Sequence, residues 1–188
     1  MTWLLDYHRS NTFWSWRAEM FTNEQLSNII KIGKQLESKD GEAVGAPTAR
    51  SSRVSWLHPG PETNWIYETL TWNINAVNKD KFNYALSHIE PLQFTEYDSN
   101  YQGFYSKHLD MGNGDGGSRK LSFVLQLSDP DEYQGGELKL HCSNEPTILP
   151  KDKGKLLFFP SWVLHEVTPV TQGTRHSLVG WIAGPAFK

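Results

Sequence analysis

Two patterns of apolar and polar residues divide the chain near residue 80. Before it, apolar positions recur at helical spacing. In "FTNEQLSNIIKIGKQLESK", Leu26, Ile29, Ile30, Gly33 and Leu36 fall on one helical face, and Thr22 with Gln25 three residues later has the form of a capping box. In "PETNWIYETLTWNINAVNK", Pro61 stands near a helix start, and Trp65, Ile66, Thr69, Leu70, Asn73, Ile74 and Val77 share a face. Short strands are predicted at "WLLDY" and "RVSWL", the second preceded by a Gly/Pro-interrupted loop, "DGEAVGAPTARSS".

From residue 82 the texture changes. "FNYALSHIEPLQFTEY", "GFYSKHLD", "KLSFVLQLSD", "GGELKLHC", "GKLLFFP", "HEVTPV" and "RHSLVGWIA" are short β-type runs separated by Gly, Pro, Asp and Asn. Runs so punctuated predict an antiparallel sandwich or barrel. The predicted fold is mainly β with supporting helices: a jelly roll, or double-stranded β-helix, with two N-terminal helices packed on one sheet. Without an internal repeat or a domain-sized linker, residues 1–188 read as a single domain, with helical support over about 20–80 and a β core over about 82–184.

Composition narrows the function. The chain has 188 residues, enough for one substantial core, and eight Trp, seven Tyr and nine Phe suit a β-rich architecture with large pockets. A net charge of −3 and the lack of any Lys/Arg run leave no electrostatic footprint for nucleic acid. The single cysteine, Cys142, excludes an internal disulfide and Cys-rich zinc patterns, and reads as a small buried hydrophobe. "MTWLLDYHRSN" lacks the form of a signal peptide, and no apolar run approaches the roughly 18 residues of a membrane span. The expectation is a soluble, cytoplasmic protein with no membrane partner.

The candidate chemistry starts at "YSKHLDMGNG". Side chains alternate across a strand, so His108 and Asp110 point to one face. Alone, the pair fits a strand end facing solvent as well as half of a metal site. His165, beginning a later strand, is a candidate third ligand, although a turn histidine bonded to a backbone carbonyl fits it too. Two histidines and one carboxylate form the facial set of non-haem Fe(II) oxygenases. Arg175 lies in "TRHSLVGWIA", sharing a face with Ser177, Val179 and Trp181. A guanidinium facing an apolar interior calls for a carboxylate, from the protein or from a ligand. Gly112-x-Gly114-x-x-Gly117 matches a dinucleotide fingerprint, but a β-type run follows it where that motif requires a helix.

The ordered set His108-x-Asp110, His165 and Arg175 resembles the Fe(II)/2-oxoglutarate-dependent dioxygenases. Its flanks, "LQFTEYDSNYQGFYSKHLD", "GGELKL", "GKLLFFPSWVLHEVTPV" and "TRHSLVGW", are most similar to the prolyl 4-hydroxylase branch, which includes the hypoxia-sensing prolyl hydroxylases. The resemblance covers roughly residues 92 to 184. It implies that His108, Asp110 and His165 are the catalytic Fe(II) ligands and that Arg175 clamps the distal carboxylate of 2-oxoglutarate. Tyr97 and Tyr105 match tyrosines lining the cosubstrate and substrate pocket, and Trp181 matches an aromatic near the iron. Gln126 departs from the pattern: the hypoxia-sensing relatives carry a tyrosine there, and a glutamine holds the cosubstrate only through its amide.

The implied reaction uses O2 and 2-oxoglutarate, with ascorbate as an accessory reductant, and hydroxylates a substrate while releasing succinate and CO2. The implied partner is a peptide or protein containing proline, with Tyr105, Arg50 and Arg53 as substrate contacts. Two alternatives stay open: the same chemistry on a free amino acid or other small molecule, and a non-catalytic jelly-roll binding module. The nucleic-acid-demethylating branch fits poorly, because it carries a second arginine six residues after the first, where this chain has Trp181.

Overall fold

The computed structural model of the protein describes residues 13–41, 47–112 and 117–185, so the strand expected at "WLLDY" lies outside the described residues. Its β-type runs pair, all antiparallel, into two sheets. The larger follows the path β1 (Ser15–Arg17), β12 (Leu156–Pro160), β8 (Arg119–Gln126), β14 (Val170–Ala183), β6 (Leu92–Asp98), β4 (Arg53–Leu57) and β2 (Lys39–Asp40). Two short strands, β5 (His88–Ile89) and β9 (Tyr133–Gly135), pair with opposite ends of β14. The smaller sheet runs β11 (Thr147–Ile148), β10 (Leu138–Leu140), β13 (His165–Val167), β7 (Phe104–His108) and β3 (Arg50–Ser51).

Alternation gives the larger sheet two apolar faces. On one, Leu121, Phe123 and Leu125 of β8, Phe158 of β12 and Leu178 of β14 share a buried core with the helices. Helix α1 (Asn23–Gln35) contributes Leu26 and Ile29, and helix α2 (Asn64–Val77) contributes Ile66, Leu70, Ile74 and Val77. On the other face Tyr97, Val124, Leu157 and Phe159 meet Leu138, Leu140 and Val167 of the smaller sheet. The candidate site lies between the two sheets.

The local signals account for most element ends. At α1 the capping box forms: Thr22 Oγ1 accepts from the Gln25 N–H at 3.2 Å and Gln25 Oε1 from the Thr22 N–H at 2.8 Å. Gly33 brings the helix backbone against Phe94, since a Cβ there would sit 2.3 Å from the ring. Helix α2 starts after Pro61, but its N-cap Thr63 donates backwards to the His58 carbonyl at 2.6 Å. It ends in a π turn, Asn78–Phe82, closed by Asn83 at φ 53°.

Three sequence expectations are corrected. "FNYALSHIEPLQFTEY" is not one strand: Phe82 closes the π turn, and Pro91, with no N–H for a ladder, separates β5 from β6. "HEVTPV" is likewise split, because at Thr168–Pro169 the chain leaves the smaller sheet and enters the larger as β14. Cys142 is half-buried at the edge of the second core rather than enclosed by it. Among the described residues no helix is long and apolar enough to cross a membrane.

Candidate metal centre

His108 ends β7 and His165 begins β13, and the two residues are direct partners across the ladder. Asp110 follows two residues on. Its N–H and that of Met111 donate to the Ser161 carbonyl at 3.1 and 2.9 Å, which turns the carboxylate towards the imidazoles. The ligand atoms of His108, Asp110 and His165 all lie within 4.8 Å of one another.

Backbone carbonyls orient both rings. His108 Nδ1 donates to the Ser106 carbonyl at 2.7 Å and His165 Nδ1 to the Val163 carbonyl at 2.9 Å, so each Nε2 carries the lone pair. Those atoms stand 3.7 Å from Asp110 Oδ1 and 3.5 Å from Oδ2, too far for a good hydrogen bond. Burial, reinforced by the charge of His165, pushes the His108 pKa down to about 4 despite the opposing pull of Asp110. Burial drives Asp110 upward, but both imidazoles, the Ser122 hydroxyl and the Trp181 indole outweigh it and hold the carboxyl below its ordinary value. Two imidazoles and one carboxylate thus converge, a donor set that fits Fe(II) and leaves coordination positions for a cosubstrate.

The surroundings fix these three side chains. Ser122 Oγ donates to Asp110 Oδ2 at 2.7 Å and lies 2.9 Å from Ser161 Oγ. Tyr105 stacks on His108 with ring centroids 3.5 Å apart, and Phe159 flanks His165 at 4.7 Å. Trp181 is buried beside Asp110, its indole N–H without a full hydrogen-bond partner, and Arg119 stacks on its ring at 4.0 Å while forking onto Glu90.

Further along the same face of β14 lies Arg175, 1% exposed. Its Nη2 donates to Gln126 Oε1 at 2.9 Å and its Nη1 reaches Ser177 Oγ at 3.4 Å, while Nε is buried with no partner. Tyr97, its ladder partner, places a ring 5.5 Å from the guanidinium. Among the described residues no carboxylate pairs with Arg175, so a buried cation meets only neutral acceptors. Gln126 is committed on both sides: its oxygen faces Arg175 and its amide nitrogen donates to the Pro150 carbonyl at 3.0 Å.

The two loop arginines part company. Arg50 is brought to the site: it lies 4.6 Å over the Tyr105 ring and donates to Ser52 Oγ and Gln93 Oε1. Arg53 is not; it bonds Ser38 and pairs with Asp40 at 3.3 Å. Its neighbours on β4 alternate between the faces, and it shares a cavity with Lys34 of α1. Gly114 of the glycine-rich stretch lies outside the described residues, and the strand β8, not a helix, follows Gly117.

The 2OG-Fe(II) oxygenase superfamily profile matches residues 92–183. A PKHD-type hydroxylase of Crocosphaera subtropica is 30% identical over 171 residues, covering 87% of this chain and 75% of that protein. The chain belongs to the 2OG-Fe(II) oxygenase superfamily. A second superfamily member, a PKHD-type hydroxylase of Synechococcus elongatus, is 43% identical over 100 residues, which span 50% of this chain and only 43% of that relative's length. The fold is that of the prolyl hydroxylase members. A Pseudomonas putida prolyl-4-hydroxylase superposes with TM-score 0.76 at 23% identity, covering 94% of this chain and 95% of that one. A Trichoplax adhaerens prolyl hydroxylase, solved with a hypoxia inducible factor peptide fragment, gives TM-score 0.76 at 16% identity over 93% and 84%.

Some residues around this site carry weaker signals in the sequence. Ser122 and Ser161 were detectable as small polar residues inside the apolar runs "KLSFVLQ" and "FFPSW". Tyr133, which with Arg175 borders Gly136, carries no such signal, because a three-residue strand has no periodicity to read.

Proposed function

We propose that this chain is an Fe(II)- and 2-oxoglutarate-dependent hydroxylase acting on a prolyl residue in a peptide or protein. The observation that carries the reading is a converging His–Asp–His set together with a fully buried arginine that has no carboxylate partner among the described residues. His108, Asp110 and His165 would hold the iron, and Arg175 would receive the distal carboxylate of 2-oxoglutarate as a charge-assisted, fork-shaped contact. With Fe(II), 2-oxoglutarate and O2 bound, the site has the oxidising power to hydroxylate an unactivated C–H bond as 2-oxoglutarate becomes succinate and CO2.

The protein's own residues keep that chemistry in place. Asp110 stays ionised at neutral pH, held by Ser122, and the two backbone carbonyls behind the imidazoles keep each Nε2 turned inward. Tyr105 and Phe159 wall the two rings from water. Arg50 lies over the ring of Tyr105, which stacks on His108, and this pair would meet the substrate. The prolyl assignment is supported by the fold shared with the Pseudomonas and Trichoplax prolyl hydroxylases, the second of which holds a peptide.

The test is a turnover assay with Fe(II), 2-oxoglutarate and proline-containing peptides in air. Succinate formation matched by gain of one oxygen on the peptide, both lost in Asp110→Ala, is the expected result. Succinate and oxygen transfer with free amino acids only would reject the peptide assignment, and no succinate above the Asp110→Ala background would reject the oxygenase reading.

A further inference from the structure

Two enclosed hydroxyls stand behind the metal ligands. Ser122 of β8 and Ser161, which follows the last residue of β12, are both fully buried. A hydroxyl in such a place is unfavourable unless it is hydrogen-bonded. Ser122 sits between Phe159 and Trp181, its ladder partners on either side. Its Oγ lies 2.7 Å from Asp110 Oδ2 and 2.9 Å from Ser161 Oγ.

Charge sets the direction of these bonds. A metal-binding carboxylate is ionised and can only accept, so the one proton of Ser122 goes to Oδ2. Ser122 must then accept from Ser161, whose proton points the same way. Ser161 also holds the main chain of the ligand. Its carbonyl accepts from the N–H groups of Asp110 and Met111 at 3.1 and 2.9 Å, and its own N–H donates to the Lys120 carbonyl at 3.0 Å. One residue thus grips Asp110 by its backbone and, through Ser122, by its carboxylate. The grip is one-sided: it falls on Oδ2 and not on Oδ1, the oxygen 3.7 Å from His108 Nε2.

We propose that Ser161, acting through Ser122, is a positioning residue that makes Asp110 a one-oxygen ligand. This rests on the metal centre of the oxygenase reading and adds to it the device that keeps a coordination position open. A carboxylate bound through both oxygens would occupy one position more. The Ser161 hydroxyl acts on the carboxylate through Ser122, so its contribution disappears when the Ser122 hydroxyl is removed.

The experiment is a Mn(II) titration followed by electron paramagnetic resonance, with circular dichroism to confirm folding. It compares the parent, Ser122→Ala, Ser161→Ala, the double variant and the control Ser55→Ala, which deletes a buried hydroxyl bonded to the Gly33 carbonyl of α1. Ser161→Ala should weaken Mn(II) roughly three- to tenfold, and the double variant no more than Ser122→Ala alone. Ser55→Ala should match the parent. Infrared difference spectra of Mn(II)-loaded against metal-free protein, with isotope-labelled aspartate to mark the bands, read the binding mode. A wide separation of the two carboxylate stretches denotes one-oxygen binding and is expected in the parent, with a narrower one in both serine variants. The parent spectrum alone tests the one-oxygen claim should a variant fail to fold. Parental affinity in Ser161→Ala, additive losses in the double variant, a narrow separation in the parent or an unchanged one in the variants overturns the assignment while leaving the metal centre intact. Failure of the parent itself to bind Mn(II) overturns both.

Discussion

Arg175 donates to the side-chain oxygen of Gln126 at 2.9 Å, across neighbouring strands of the larger sheet. The bond gives a fully buried cation a neutral partner without cancelling its charge. Gln126 in turn is anchored by the Pro150 carbonyl. The arginine is thereby held ready, and its affinity for an anion is retained.

Removing that acceptor should be felt in stability. Gln126→Leu leaves a buried guanidinium N–H unsatisfied and is expected to destabilise the metal-free protein by about 1–3 kcal/mol. Urea unfolding measures this; an unchanged midpoint and slope would mean that Arg175 finds another acceptor.

Ser122 supplies no ligand atom itself, yet its hydroxyl donates to Asp110 Oδ2 and orients that carboxylate. Ser122→Ala should lower Mn(II) affinity roughly ten- to a hundredfold with little loss of fold. A titration of Mn(II) followed by electron paramagnetic resonance reads the free ion, and parental affinity would show that Ser161 alone suffices.

Gly33 presents the opposite case, a residue important for what it lacks. Alanine is the better helix former by about 1 kcal/mol, but its Cβ would meet the Phe94 ring. Gly33→Ala is therefore expected to destabilise by about 1–3 kcal/mol through overpacking. A raised thermal midpoint would place the ring elsewhere.

His176, on the helix-facing side of β14, is a titrating group remote from the metal centre. Burial lowers its pKa from 6.5, with Glu96 and Glu132 opposing and Lys34 assisting, and it bonds Glu96 at 3.0 Å and lies 3.3 Å from Ser128. The unfolded chain takes up this proton near pH 6.5 while the folded chain resists, so stability falls as pH drops below 6.5. His176→Asn should flatten the decline in unfolding free energy between about pH 6.5 and 5. An identical slope in both proteins would assign the decline to other groups.

What the sequence revealed depended on how local the signal was. The capping box of Thr22 and Gln25 is written in four consecutive residues, and it forms as read. His108, Asp110 and His165 were legible because strand alternation sets their direction, and the ladder partnership of His108 with His165 then brings them together. Arg53 misled because a single step along β4 reverses the face, and the sequence alone does not say where the strand begins. Tyr133 and Lys151 were hidden for a different reason: one arrives on a three-residue strand and the other on a loop. Only the tertiary contacts, Tyr133 beside Arg175 at Gly136 and Lys151 over the Tyr133 ring, bring them together.

The most direct measurement of the central claim is anaerobic calorimetry of 2-oxoglutarate binding to the parent protein with and without Mn(II), repeated on Arg175→Ala. Saturable binding that requires the metal and weakens at least about tenfold in the variant is the predicted result. Absence of binding, or binding indifferent to both the metal and Arg175, would contradict it.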